Sequence, residues 1–183
     1  AFYAERYRTA YKGAARPRPR QVLRNFRRTA AEVLRFADVV RPAASVIDVG
    51  AGSGEFLFLV AREGRRGVGI EPSRGYAAHC REALGLEVET AGLAPERFAP
   101  GAADLIRLNH VLEHLNDPVG QLAMMRRWLA PGGRLWVAVP DVEGYAATKS
   151  RGRMFHYGHV WNFCPETLRD VAGLAGLEED PAT

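Results

Sequence analysis

Val46-Ile47-Asp48-Val49-Gly50-Ala51-Gly52-Ser53-Gly54 decides the fold class. Three β-branched residues around an acid read as a buried parallel strand. The strand runs straight into a Gly-x-Gly-x-Gly turn, and Glu55 to Arg62 reads as the helix that follows. A sharp strand-to-helix turn needs unusual φ/ψ, and glycine also lets backbone approach a ligand closely. Gly67-Val68-Gly69-Ile70-Glu71-Pro72 reads as a second strand ending in an acid. It lies about twenty residues past the first glycine, where α/β nucleotide folds place a carboxylate for ribose hydroxyls. Together these segments predict an adenosine-type cofactor site.

Downstream, the chain keeps alternating. A helix is predicted from Pro72-Ser73 to about Leu84, a third strand over Leu86–Thr90 and a fourth over Ala103–Leu108. Asp117-Pro118 starts a helix through Trp128, with proline in its first turn. Leu129 to Gly133 closes that helix, and Arg134 to Asp141 is the fifth strand. Glu143 to Gly158 reads as a polar loop, and Pro165 to Leu174 as a last helix. A sixth strand can only begin near Leu177. Upstream, Phe2, Tyr3, Tyr7 and Tyr11 suggest a short aromatic helix. Arg16-Pro17-Arg18-Pro19-Arg20 breaks it, and apolar positions from Gln21 to Val40 follow a helical period.

The first two segments resemble the first and second motifs of the class I S-adenosylmethionine-dependent methyltransferases. His110-Val111-Leu112-Glu113-His114-Leu115-Asn116-Asp117-Pro118 and Leu129-Ala130-Pro131-Gly132-Gly133-Arg134-Leu135 resemble the segments after strand four and before strand five in their small-molecule branch. The dehydrogenase fingerprint is Gly-x-Gly-x-x-Gly, and here the third glycine comes one residue early. The resemblance covers about residues 45–175. It implies a Rossmann-like α/β fold, a mostly parallel sheet with helices on both faces and a helical N-terminal extension. It also implies S-adenosyl-L-methionine as cofactor, held by Asp48, Gly50, Ala51, Gly52, Gly54, Glu71, Pro72, Gly92, Leu93 and Asn109. Many relatives carry an Asp beside the glycine after strand three; Leu93 stands there instead, leaving the adenine to backbone groups.

Methyl transfer needs mainly position, because the sulfonium already carries a good leaving group. A hydroxyl acceptor gains from a general base, and His110, His159 and His156 are the candidates, imidazole titrating near neutral pH. Tyr157 and Trp161 are candidates for a wall around the substrate. His110 to His114 also spells H-x-x-E-H, an inverted zinc-peptidase pattern. No metal is expected, since the run follows a sheet strand and Pro118 cuts its helix short. Glu113 and His114 are expected to cap or pack the following helix.

At 183 residues with 47% hydrophobic side chains, the chain is long enough for one domain with a substantial core. The expected organisation is a helical N-terminal cover over residues 1–41 and a methyltransferase domain over 42–183 with a truncated sheet edge. Starting at Ala1 suggests an excised or processed chain. The net charge of +4 is uneven: residues 1–41 carry ten Arg and one Lys against three acids, whereas residues 42–183 are net acidic. No apolar run reaches membrane-spanning length. Without a signal-peptide pattern, and with Cys80 and Cys164 in no metal or redox spacing, a cytoplasmic protein with two buried thiols is expected.

The favoured function is methyl transfer to a small molecule or sugar, at oxygen or else at nitrogen or carbon, in a homo-oligomer or as part of a larger protein. Two alternatives remain. A nucleic-acid methyltransferase would use the Arg-rich segment, but the Asn/Asp-Pro-Pro-Tyr type motif is missing where Asn109-His110-Val111-Leu112 stands. A non-catalytic cofactor-binding module of a biosynthetic protein is the other.

Overall fold

The computed structural model describes residues 15–147 and 158–180. The expected short helix around Tyr3 to Tyr11, and His156 and Tyr157, lie outside them. Helix α1 (Pro19–Arg35) and a four-residue α2 (Ala37–Val40) lead into β1 (Ser45–Val49), α3 (Glu55–Arg62), β2 (Arg66–Ile70), α4 (Arg74–Leu84) and β3 (Glu87–Glu89). Then come β4 (Ala103–Asn109), a 3-10 turn (Leu112–His114), α5 (Pro118–Trp128), β5 (Leu129–Ala138), α6 (Val142–Ala147) and α7 (Pro165–Leu174).

The five strands form one parallel sheet in the order β3-β2-β1-β4-β5. The chain turns back on itself between β1 and β4, where doubly wound sheets open a ligand crevice at their carboxyl ends. Ile47, Val49, Ile106 and Leu108 form one core with Leu122, Met125 and Trp128 of α5. The alternate positions Val46 and Leu105 pack with Val33, Val39, Val40, Phe56 and Val60 on the other face. Side chains alternate across a strand, so both faces of β1 and β4 are covered and both strands are buried nearly throughout. The fold is the expected Rossmann-like α/β sandwich with helices on both faces.

Several boundaries differ from expectation. Helix α1 starts at Pro19, not Gln21, because proline at the first helical position gives up only an N–H that has no intrahelical partner. The same helix stops at Phe36. Val33, Val39 and Val40 are core residues alongside Val46 and Phe56, so residues on either side of 41/42 share one apolar cluster. Strand β5 begins at Leu129, and Pro131-Gly132-Gly133 lies in a bulge: Ala103 pairs with Leu129 but Leu105 with Arg134. Helix α6 occupies the start of the expected loop. No strand forms at Leu177 among the described residues. Cys80 is buried as expected, but Cys164 is half-buried at the start of α7; both are free thiols.

Candidate functional site

The glycine turn is built from left-handed backbone, with φ of +74° at Gly50, +59° at Gly52 and +85° at Gly54. A Cβ on Gly50 would sit 2.5 Å from Val111 Cγ2, so that position excludes a side chain twice over. A Cβ on Gly52 would meet nothing nearer than the Gly50 carbonyl at 3.9 Å, so the space above it is open. Gly50 N and Ala51 N both donate to the Ile70 carbonyl at 2.8 and 3.0 Å, which fastens the turn to the end of β2. Ala51 and Gly54 are buried.

Glu71 braces the same turn. Its carboxylate is 1% exposed and accepts from Gly52 N and from Ser73 N, each at 2.9 Å. Half-buried Pro72 lies between. A carboxylate offers about four lone-pair positions, of which these two amides take two. Cys80 lies beneath, its thiol donating to the Gly52 carbonyl at 3.3 Å; burial pushes that thiol up to about 12 and keeps it inert.

Asp48 lies within β1, next to its carboxyl end. It is fully buried, with one oxygen 3.2 Å from Arg107 Nη1 and the other without a hydrogen-bond partner among the described residues. The two residues are register partners on β1 and β4. The guanidinium stacks on Phe56 at 4.6 Å and Trp136 at 5.2 Å and also reaches Glu32 at 3.4 Å. The carboxylate of Asp48 is thus tied across the sheet to Arg107. Burial raises its pKa to about 6, against the pull of Arg107, with Glu55 and Glu71 adding repulsion.

Sequence reasoning missed Ser53 and Glu55. Both are buried, and Ser53 Oγ and Glu55 Oε1 have no hydrogen-bond partner among the described residues. An acid in the first helical turn is ordinarily explained by the helix dipole, which hid Glu55; only its burial sets it apart. Gly92 is exposed and its carbonyl accepts from Arg97 Nε at 3.1 Å, while Leu93 packs against the α5-side core. Asn109 ends β4 opposite Ala138, half-buried at the carboxyl edge.

His110 follows with φ +56°, the one non-glycine residue of positive φ among those described. Its N–H donates to the Ala138 carbonyl at 2.9 Å and its side chain is 45% exposed. Glu113 and His114 do not cap α5, whose cap is Asp117, accepting from Gly120 N at 2.9 Å. They lie in the 3-10 turn, where donor atoms of Glu113, His114 and His159 all fall within 4.8 Å of one another, close enough to share a proton or a cation. Val160 N and Trp161 N donate to the Glu113 carbonyl, bringing His159 to this corner. Trp161 is exposed, its indole N–H on the Leu115 carbonyl at 2.9 Å.

Residues 22–180 match the family described as a methyltransferase domain. The chain belongs to that family. S-adenosylmethionine is the cofactor the family implies. A ubiquinone biosynthesis O-methyltransferase of Thiobacillus denitrificans is 33% identical over 172 residues, 82% of this chain and 72% of that protein. A trans-aconitate 2-methyltransferase of Methylobacterium nodulans is 37% identical over 128 residues, 61% of this chain and 49% of that protein. Across four other curated relatives the chain spans 31% to 59% of their length or close to it, 31% at the low end and 59% at the high. Among solved structures, a SAM-dependent methyltransferase from Archaeoglobus fulgidus superposes with a TM-score of 0.67 at 17% identity, covering 94% of this chain and 73% of that one. That likeness concerns the fold.

The residues present fit such a cofactor. Glu55 and Glu71 act electrostatically on Asp48, so three carboxylates gather around the turn with Arg107 paired to only one of them. A ligand bearing a sulfonium and an ammonium complements that charge. The orphaned Ser53 Oγ and Glu55 Oε1 supply acceptors where buried polar groups are otherwise expected to be paired.

Proposed function

We propose that this protein transfers the methyl group of S-adenosylmethionine to an oxygen of a small-molecule or sugar acceptor. The observation that carries the reading is an open, acid-lined glycine turn after β1 set beside an exposed imidazole after β4, both at the carboxyl edge of one parallel sheet. When bound, the cofactor supplies an electrophilic methyl carbon on sulfur. In this reading the Gly50–Gly54 backbone and Glu55 hold its amino-acid end and Glu71 accepts its ribose hydroxyls. Gly92, Leu93 and Pro72 border the adenine, and Asn109 orients the methionine end. His110 takes the proton from the acceptor hydroxyl, with His159 and His156 as its rivals for that role. Oxygen as the acceptor atom draws support from the relative named as an O-methyltransferase.

Residues 1–41 supply a cover for the acceptor in this proposal, and the protein works in the cytoplasm as a homo-oligomer or as part of a longer chain. No helix among the described residues is long and apolar enough to cross a membrane. Calorimetry with S-adenosylmethionine tests the cofactor site, and methyl turnover on a panel of hydroxylated small molecules tests the acceptor class. His110→Ala should lower turnover about a hundredfold or more with cofactor affinity little changed. Near-parental turnover in the His110, His156 and His159 variants alike would end the general-base reading.

A further inference from the structure

We infer that Glu113 is a positioning residue for His110: its buried carboxylate keeps the imidazole proton on Nδ1, so that Nε2 presents its lone pair to the acceptor. The inference rests on the reading of His110 as the base. Glu113 is 1% exposed, and neither carboxylate oxygen accepts a hydrogen bond among the described residues. A buried carboxylate is costly unless paired, and what surrounds this one is imidazole. His110 Nδ1 lies 3.4 Å from Oε1, and Nε2 of His114 and of His159 each lie 3.9 Å from it.

The three rings are not equivalent. His114 Nδ1 sits 2.6 Å from the Gly158 carbonyl; a carbonyl can only accept, so that nitrogen carries a proton and the ring is committed to holding Gly158. His159 is packed edge-on against His114, ring centroids 4.9 Å apart, with its side chain 15% exposed. Of the three, only His110 combines a nitrogen turned in to the carboxylate with a half-open side chain. An ionised carboxylate has no proton to give. Beside Nδ1 it favours an N–H there and disfavours a lone pair, which leaves Nε2 as the acceptor. A distance of 3.4 Å is long for a hydrogen bond, and such catalytic contacts tighten when the substrate complex forms.

The backbone supports the same arrangement. A left-handed non-glycine residue is strained and persists where its surroundings over-determine it. At His110 that conformation, with its N–H on Ala138, places the ring three residues before Glu113 and against its carboxylate. Glu113 has a second task, since its main-chain carbonyl accepts from Val160 N at 2.9 Å and Trp161 N at 3.1 Å. That task belongs to the backbone. A side-chain substitution therefore separates the two.

The experiment uses Glu113→Gln, which keeps shape and removes charge, in protein labelled with nitrogen-15 at histidine. Long-range proton–nitrogen spectra recorded near pH 8.5, where ordinary imidazoles are neutral, read the tautomer of His110, assigned through His110→Gln. The parent should show the proton on Nδ1, and Glu113→Gln a mixture of tautomers. Turnover should fall at least tenfold at unchanged cofactor affinity, and Glu113→Asp should restore the Nδ1–H signature and part of the turnover. An unchanged His110 signature in Glu113→Gln overturns the inference. So does a divalent metal that copurifies with the parent and is lost from Glu113→Gln, because the carboxylate would then be a ligand. Failure of the base reading shows elsewhere, as undiminished turnover in His110→Ala, so the two are told apart.

Discussion

Glu71 and Glu113 are equally buried, each 1% exposed, and each follows a strand of the same sheet at its carboxyl end. Their surroundings are opposite. Glu71 is held by two backbone N–H groups that cannot titrate or swing away, and it ties the glycine turn to the start of α4. Among the described residues Glu113 has no amide on its oxygens, and it faces three imidazoles at 3.4 to 3.9 Å. Fixed dipoles suit a site that must be ready before its ligand arrives. Ionisable rings suit one that must gain or lose a proton. In the proposed function, cofactor binding falls to the β1–β2 side of the crevice and proton handling to the β4 side.

The sharpest way to break it is Gly52→Val. With φ at +59° a β-branched residue is strained by on the order of 1–3 kcal/mol, and its side chain enters the open space above the turn. Cofactor binding by calorimetry should be abolished while the protein still unfolds cooperatively; ordinary affinity would remove the turn from the site. Glu71→Ala comes next. It orphans the buried Ser73 amide, at about 1–3 kcal/mol, and the half-buried Gly52 amide, so both thermal stability and affinity should drop, the latter by about tenfold or more. A variant that loses affinity but no stability would show that the brace is not structural.

Asp48 tests whether the acidic side is as fixed as the comparison holds. Its pKa is about 6 folded against an ordinary 3.8. A raised carboxyl pKa stabilises the fold fully below about pH 4, and that contribution is lost as pH rises through about 6, because the unfolded chain releases its proton first. The loss is on the order of 3 kcal/mol. Urea unfolding at intervals from pH 4 to 7 should show the parent losing stability relative to Asp48→Asn as pH rises. A constant difference would refute the shift. The smallest effect is Trp161→Phe, which deletes the indole N–H on the Leu115 carbonyl and should cost about 1 kcal/mol. If that variant lowers turnover with stability intact, the segment bearing His159 belongs to the reaction.

Strand β1, the turn and α3 were legible because local chemistry admits few alternatives: a β-branched run, three glycines, then an amphipathic stretch. Helix α5 was legible to the residue, from Asp117-Pro118 to Trp128, because cap and proline both mark its start. The edges of α1 and β5 were not. Proline at 19 reads as a breaker until its place at the first helical position is known, and Pro131-Gly132-Gly133 reads as a loop end until β4 pairs on either side of it. Of the proposed site, the glycines and Glu71 are marked in the sequence by position after a strand, and Asn109 by its place at the end of one.

What the sequence determined by itself was the order of elements and the family. The order follows from periodicity and from turn residues, which act over a few positions along the chain, and the family from the resemblance of the glycine turn, the Glu71 segment and the later segments to its motifs. Only the tertiary structure decided how each acid is used. Asp48, Glu71 and Glu113 look alike in sequence, each beside the end of a strand, yet one meets Arg107, one the amides of Gly52 and Ser73, and one the rings of His110, His114 and His159. A carboxylate's role depends on which dipoles and charges replace its lost water. Arg107 and His159, 59 and 46 residues away from Asp48 and Glu113, become their neighbours only when the sheet and the segment before α7 have closed.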